Sequence, residues 1–543
     1  MEPKVAGSSP VSHPLKFMNK LQKIVFVSFT AAVVLAAAFF GKMILASPDS
    51  SAANYIVVLF AVFSISLIIA AGWIFFNVKK FSPEKIFIVF FALIGLFYIV
   101  SVPFPNATDE SAHFLRLYEL SKGHLVSAFN DGNMGRELPS NLNFQPNSFK
   151  GVASNLHLQI SNQNEWIYFP NTASASFATY ALYLPGLWTA KLATNNFFAT
   201  AYLIRISVFI FAGIILFFAL KIMPFKKNLL FVLMGAPIVF RAMTAISGDM
   251  MLNILSFLLV SLLFYWTVKL EKIEVKHIAL FALLMLLLSL CKTPVYTPFV
   301  LLFLLLPVSK FKSTKSYMLY FAGIVLLTAA VSALWLYATK GITDAYALMQ
   351  NKNAGGNEQI KYILTHHFNF IVLVAKTYIL HAVEYIGSYA GIGWGYINQK
   401  INFVLVFLYI FALTTVSLSE TVVLHVKQQI KGAVIFFAVI VSVMFLAASA
   451  QFIRETSTGA TVIQFILGRY FAPLVLLFFT AFGFDIFKIN KIFKNIDSRT
   501  VFGYAILVLF FVHFCVIAGN FILFNGNADL TSAHYLERLK AGF

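Results

Sequence analysis

The chain has 543 residues, 60% of them hydrophobic and only 11% charged, with 61 phenylalanines. Too little polar surface remains to clothe soluble domains of that size, and apolar stretches recur along the whole length, so a single membrane tether is excluded as well. The formal net charge of +19 comes from 40 Lys and Arg dispersed in short clusters between apolar runs, a membrane-topology pattern rather than a nucleic-acid-binding one. Cys291 and Cys515 lie far apart in apolar segments, which sets aside a disulfide framework or a thiolate metal site.

Apolar runs of about 20 residues predict spans near 24–46, 55–77, 86–103, 197–220, 228–246, 250–268, 317–338, 401–418, 433–450, 466–484 and 500–524, with a shorter pair at 278–291 and 295–309. The fold class is therefore all-α integral membrane, with about 13 transmembrane helices once the short pair counts as two crossings. Residues 24–46 also fit a cleaved signal peptide, although the apolar core is long for one. With the N-terminus in the cytoplasm, Lys79, Lys80, Lys85, Lys221, Lys226, Lys227, Lys269, Lys272, Lys276, Lys310, Lys312 and Lys315 all fall in short inner turns. That bias fixes the orientation, N-terminus inside and C-terminus outside.

Five segments follow: 1–103, a tail and three spans; 104–196, a first outer loop; 197–338, central spans; 339–400, a second outer loop; and 401–543, C-terminal spans and an outer tail. Residues 173–193 read as interfacial, because a span there would push Lys221, Lys226 and Lys227 outside. Residues 367–390 carry Asn369, Lys376, Thr377, His381 and Glu384 within one wedge of a helical wheel, which predicts a helix lying in the outer interface. Tyr389, Trp394 and Tyr396 read as an interfacial aromatic belt. Internal repeats and matching interrupted helices, the marks of many transporters, are not evident.

The third span ends in Val102-Pro103-Phe104-Pro105, after which Thr108 is a reasonable N-cap for a helix opening with Asp109 and Glu110. Asp109, His113 and Arg116 recur at three- and four-residue spacing and so share a predicted face. On spacing alone, the acids could equally do no more than complement the helix dipole. Asp249 sits in the hairpin turn Ser247-Gly248-Asp249, where a helix cap is the plain reading, and Arg241 offers it a partner from within a span. Lys292 lies at the apex of the short pair, whose arms are too short to cross comfortably. Their apex should dip below the surface, where irregular backbone must line a polar cavity, so Lys292 and Tyr296 are expected in the same cleft as Asp109. Arg469 sits in Gly468-Arg469-Tyr470 at the start of another span.

The run from Pro105 through Asp109, Glu110, His113, Phe114 and Arg116, followed by Gly123-His124, resembles the signature of a family of bacterial polytopic membrane proteins known as domain of unknown function 2142. Similar patterns recur in order at Ser247–Asp249, Lys292–Tyr296, Gln359–His366 and Gln464–Pro473. That family in turn resembles the C-type (GT-C) glycosyltransferase superfold, in which an acidic pair on the first outer loop does the catalysis and a polyprenyl-phosphate-linked sugar is the donor. This chain has Ser111 where the family often has Pro, and an additional hairpin precedes the motif.

The resemblance implies a membrane glycosyltransferase of the bacterial plasma membrane that transfers a sugar from a polyprenyl-phosphate donor to a cell-envelope glycan or lipid acceptor. A transporter or flippase for a lipid-linked glycan is the alternative. Asp109 is then the candidate base, with Glu110 orienting it or sharing a metal. His113, Arg116, Asp249, Lys292, Tyr296, Arg469 and Tyr470 are candidate substrate-binding residues, with Arg469 as a bidentate phosphate fork and Lys292 as a point charge. The pattern names no cofactor with certainty. Two adjacent acids leave room for a divalent metal, but no third acidic or histidine cluster completes a shell.

Overall fold

A computed structural model describes residues 12–45, 50–130, 133–350, 356–390, 403–457, 459–487, 493 and 496–525. Its α-helices of seven residues or more are α1 (Ser12–Leu45), α2 (Ser50–Asn77), α3 (Pro83–Ser101), α4 (Glu110–Ser121), α5 (Tyr183–Ala193), α6 (Phe197–Ile222), α7 (Lys227–Met234), α8 (Pro237–Met243), α9 (Met250–Lys269) and α10 (Val275–Cys291). They continue with α11 (Thr314–Ala338), α12 (Lys340–Gln350), α13 (Gly356–Thr365), α14 (His367–Leu380), α15 (Ala382–Tyr389), α16 (Phe403–Ser419), α17 (Val426–Glu455), α18 (Ala472–Phe482) and α19 (Ser498–Leu523).

Among the described residues eight helices are long and apolar enough to cross a membrane, within α1, α2, α3, α6, α9, α11, α17 and α19. The all-α membrane class therefore holds, while the other five expected crossings take shorter or broken forms. The run 228–246 is split at Gly235-Ala236-Pro237 into α7 and α8, because Pro237 has no N–H to continue the ladder. Residues 278–291 form α10, and its return arm winds as a 3-10 helix, Thr297–Leu305. The runs 401–418 and 466–484 are represented by α16 and by α18 with a preceding 3-10 turn, Gly468–Phe471.

Helices α9 and α19 are the most enclosed of the eight, whereas α1 and α11 lie at the periphery. Side chains such as Phe60, Phe63, Phe87 and Phe90 fill the interior. With apolar surface available on nearly every face, which helix becomes central is set by interhelical packing rather than by an amphipathic stripe.

The two ends of the bundle differ. One end is tied by charged side chains: Glu420 accepts from the backbone N–H groups of Asn228 (2.9 Å) and Leu229 (2.8 Å), Lys79 pairs with Asp497 (2.6 Å), and Lys227 pairs with Glu84. Lys310 donates there to the carbonyls of Trp266 (3.1 Å) and Thr267 (2.6 Å) at the end of α9, satisfying acceptors the helix leaves open.

The other end carries the 104–196 loop and α12–α15. The loop contains a small antiparallel sheet absent from the sequence reading, β1 (Ala128–Asn130), β2 (Asn133–Pro139) and β3 (Asn164–Tyr168), in the order β1-β2-β3. Met134, Leu138 and Ile167 point from it into the core. The segment 367–390 also departs from a single interfacial helix. It breaks at His381, and Tyr389 at the end of α15 is buried against Tyr409 of α16, with ring centroids 6.1 Å apart. Trp394 and Tyr396 lie outside the described residues.

Candidate functional site

A cavity of about 860 Å³ opens at the loop-bearing end, lined on one side by Asp109, His113, Asp249, Lys292, Arg469 and Tyr470. Four separate pieces of chain supply these groups, and each is held by local chemistry.

The first piece is the turn after α3. Asn106 Nδ2 ties it down through the carbonyls of Pro103 (3.0 Å) and Pro146 (2.7 Å). The N-cap of α4 is Asp109, one residue later than expected, in a left-handed conformation (φ 58°) that Asp tolerates better than most residues. Its side chain makes no capping hydrogen bond, so the carboxylate is available to the cavity.

Adjacent residues at a helix start diverge by about 100°, and Glu110 accordingly points the other way. It is fully buried and grips Arg205 of α6: Nε donates to Oε1 at 2.8 Å and Nη2 donates to Oε2. Ile246 N–H donates to the same carboxylate at 2.9 Å, and Arg205 Nη1 also reaches the Val102 carbonyl at 2.7 Å. Glu110 thus fastens α4 to α6 and to the 247–249 turn. It neither orients Asp109 nor stands free to share a metal with it.

Arg116 is likewise removed from the cavity. Asp109 is not in the helix, so the predicted common face fails, and Arg116 lies about 10 Å further along the axis. It is fully buried, with Nε donating to Ala175 O at 3.1 Å and Nη1 bonded to Glu119, which in turn accepts from Ser127 Oγ (2.6 Å) and Arg136 Nε (2.8 Å). This knot fastens α4 to the sheet.

His113 lines the cavity and holds the second piece. The Gly248 N–H donates to its Nε2 at 3.2 Å, which places the ring proton on Nδ1, directed at Tyr180 Oη at 2.6 Å. Burial pushes its pKa down to about 4 against the opposing pull of Asp109 and Asp249, so the ring is neutral at physiological pH. A Cβ on Gly248 would lie 2.8 Å from His113 Cε1, so glycine permits this approach.

The third piece is the apex of the α10 arm. Ser176 Oγ and Thr179 Oγ1 donate to the carbonyls of Leu290 (2.8 Å) and Cys291 (3.3 Å), satisfying acceptors that the helix end leaves open. Lys292 follows, and its Nζ donates to Asp249 Oδ1 at 2.9 Å while lying 3.5 Å from the centroid of the Tyr470 ring. Tyr296 does not reach the cavity as expected. It is fully buried, and its hydroxyl donates to the Tyr470 carbonyl, anchoring the fourth piece from beneath.

That piece is Gly468–Phe471. A Cβ on Gly468 would sit 2.2 Å from the Tyr385 carbonyl oxygen, so only glycine lets the turn press onto α15. Arg469 then spans two carboxylates: Nη2 donates to Asp109 Oδ2 at 3.0 Å, and Nε lies 3.3 Å from Asp249 Oδ2. Burial alone would raise the pKa of Asp249, but Lys292 and Arg469 outweigh it and hold the carboxyl below its ordinary range. Asp249 therefore pairs with these two cations rather than with Arg241. Arg241 lines a smaller adjoining chamber of about 60 Å³ that shares Arg469 and Asp249 with the main cavity.

Several cavity residues escaped the sequence reading: Asp344 from α12 and Gln451, Arg454 and Glu455 from the last turn of α17. The last two follow directly on an apolar span, an ordinary position for interfacial charges, so their pattern carried no signal. Arg205 did carry one, as a charge deep in an apolar run, but its partner was not legible. Among the described residues, no three His, Cys, Asp or Glu side chains converge as a metal-binding group.

The fold and site together define a polytopic helical membrane protein with a charged cavity at one end of its bundle. Residues 90–478 match the family model described as "Predicted membrane protein (DUF2142)", which covers well over half of the chain, and the chain belongs to that family. No curated protein and no solved structure matches it.

Proposed function

We propose that the protein is a membrane glycosyltransferase of the GT-C type that moves a sugar from a polyprenyl-phosphate-linked donor to a cell-envelope acceptor on the outer side of a bacterial plasma membrane. The observation that carries this reading is the meeting of Asp109, Lys292 and Arg469 in one large cavity at the bundle end. The lysine-rich opposite end suits the cytoplasmic face, which turns the cavity outward.

The ion pairs suggest an order of events. Before donor binding, the Arg469 guanidinium is paired with the Asp109 carboxylate at 3.0 Å and occupies one of its oxygens. An incoming phosphate competes for the same guanidinium and releases the carboxylate as a base. Asp249 meanwhile keeps Arg469 and Lys292 in place. The acceptor oxygen then bonds to the anomeric carbon as the bond from that carbon to the phosphate oxygen breaks. The hydroxyl proton passes to Asp109, and the departing lipid phosphate keeps the electron pair, stabilised by Arg469 and Lys292. His113, neutral and already bonded on both ring nitrogens, positions the Asp249 turn.

Arg205, Arg241 and Lys292, cations set within or beside apolar segments, all gather at the cavity end. That distribution favours surface chemistry over a pathway through the bundle, the arrangement a flippase would need. The test is Asp109→Asn in full-length protein reconstituted with labelled polyprenyl-phosphoryl hexoses and envelope glycans. Transfer should fall about 100-fold or more; transfer at the wild-type rate in a normally inserted variant overturns the reading.

A further inference from the structure

The cavity has a second wall that the donor chemistry leaves unused. It is built from α12 and the last turn of α17, and it presents Asp344, Gln451, Arg454 and Glu455. The Arg454 guanidinium lies 4.9 Å from the centroid of the Tyr346 ring, and the Tyr346 hydroxyl hydrogen-bonds to Glu455. Gln451 Nε2 donates to Tyr470 Oη at 3.2 Å, and the Tyr470 ring underlies Lys292, so a single tyrosine joins the two walls. Glu455 and Asp109 line the same cavity, so a ligand that fills it meets both walls.

The chemistry of this wall is mixed. Lys340 and Arg454 offset Asp344 and Glu455, and the aromatic ring of Tyr346 stands beside them. A strongly anionic ligand would meet Asp344, Glu455 and Asp109 together. An apolar chain would strip water from these groups without replacing their hydrogen bonds. A ligand bearing many neutral hydroxyls satisfies both sets, because each hydroxyl can donate to a carboxylate and accept from a guanidinium or amide. The rim carries the exposed polar side chains of Lys340, Gln350 and Asn357 beside the exposed Leu336, Tyr337 and Ile360, and the polar edge suits entry of a water-borne ligand.

We infer that this wall is the acceptor subsite and that the acceptor is a neutral, hydroxyl-rich carbohydrate entering from the aqueous side rather than a lipid. The inference rests on the glycosyl-transfer reading and narrows its acceptor from two classes to one. Asp344 and Glu455 bind sugar hydroxyls, Gln451 couples the bound acceptor to the cation wall through Tyr470, and the reacting hydroxyl is thereby brought towards Asp109.

Saturation-transfer NMR on the full-length protein in lipid nanodiscs tests this with neutral gluco-, manno- and galacto-oligosaccharides, set against amine-bearing chitosan oligomers and anionic oligogalacturonate. Neutral oligosaccharides should bind, and Asp344→Asn combined with Glu455→Gln should weaken them about tenfold or more. If that double variant misfolds, Gln451→Ala gives a second reading, with at least about a threefold loss expected. The inference is overturned if no neutral oligosaccharide binds, if only the charged oligomers bind, or if the folded variants bind as tightly as the wild type. Polyprenyl-phosphate binding by the wild type and by Arg469→Gln is measured in parallel. A wild type that binds no polyprenyl phosphate sinks the transfer reading itself, separately from the acceptor assignment.

Discussion

Asp109 and Arg469, 360 positions apart in the chain, are joined by a 3.0 Å hydrogen bond at the cavity wall. A guanidinium that holds a carboxylate can also hold another anion, so under the proposed transfer reading one residue links substrate arrival to base release. Replacement of Arg469 by Lys keeps the charge but loses the fork that reaches Asp109 and Asp249 together. Transfer by Arg469→Lys should fall about 10-fold to 100-fold, and by Arg469→Gln further still. Steady-state rates with a polyprenyl-phosphoryl hexose donor check the ranking; equal rates for all three proteins contradict it.

The neighbouring acids should separate cleanly. Glu110→Gln or Arg205→Gln leaves an uncompensated buried charge, and each should destabilise the fold by about 3–5 kcal/mol. Asp109→Asn removes a group at the cavity surface and should leave the melting temperature nearly unchanged while transfer is lost. Thermal unfolding of the purified proteins decides this, and an equal loss of stability from both acids would refute the division of roles.

Acid should loosen the site through His113. Its folded pKa of about 4 lies below the ordinary imidazole value of 6.5, so between those values the unfolded chain binds the proton more tightly than the native one. The stability contribution present above pH 6.5 is therefore lost as pH falls towards 4. Melting temperature followed from pH 7.5 to 4.5 should drop in the wild type and drop less in His113→Gln, which cannot take up the proton.

Gly468→Ala should damage the site without touching a charged group. Its Cβ would fall 2.2 Å from the Tyr385 carbonyl, so the turn bearing Arg469 must move. A destabilisation of about 1–3 kcal/mol is expected, with weakened donor binding. Unchanged stability and unchanged polyprenyl-phosphate affinity would show that the turn has slack.

Much of this protein was legible before its fold. Long apolar runs require helices in a bilayer because unpaired backbone groups there are costly, and eight such helices are present among the described residues. Asp109 and His113 were singled out by their spacing on the first outer loop, and Asp249, Lys292, Arg469 and Tyr470 by segments that resemble the family pattern, and all six line one cavity. Arg116 and Tyr296 came from the same motifs yet serve the frame, one tying α4 to the sheet and the other fixing the Tyr470 backbone.

Hydropathy is local: each stretch of chain carries its own transfer free energy, so the membrane class, the helical character and the segments where charge would be concentrated could be read from the order of residues alone. Partner choice is not local. Whether Asp109 or Glu110 faced the cavity hinged on one left-handed residue and on Arg205 arriving from another helix, and whether Asp249 met Arg241 or Lys292 hinged on where the end of α10 came to lie. Ion-pair geometry is set by the packing of distant helices, and it exists only once those helices are assembled.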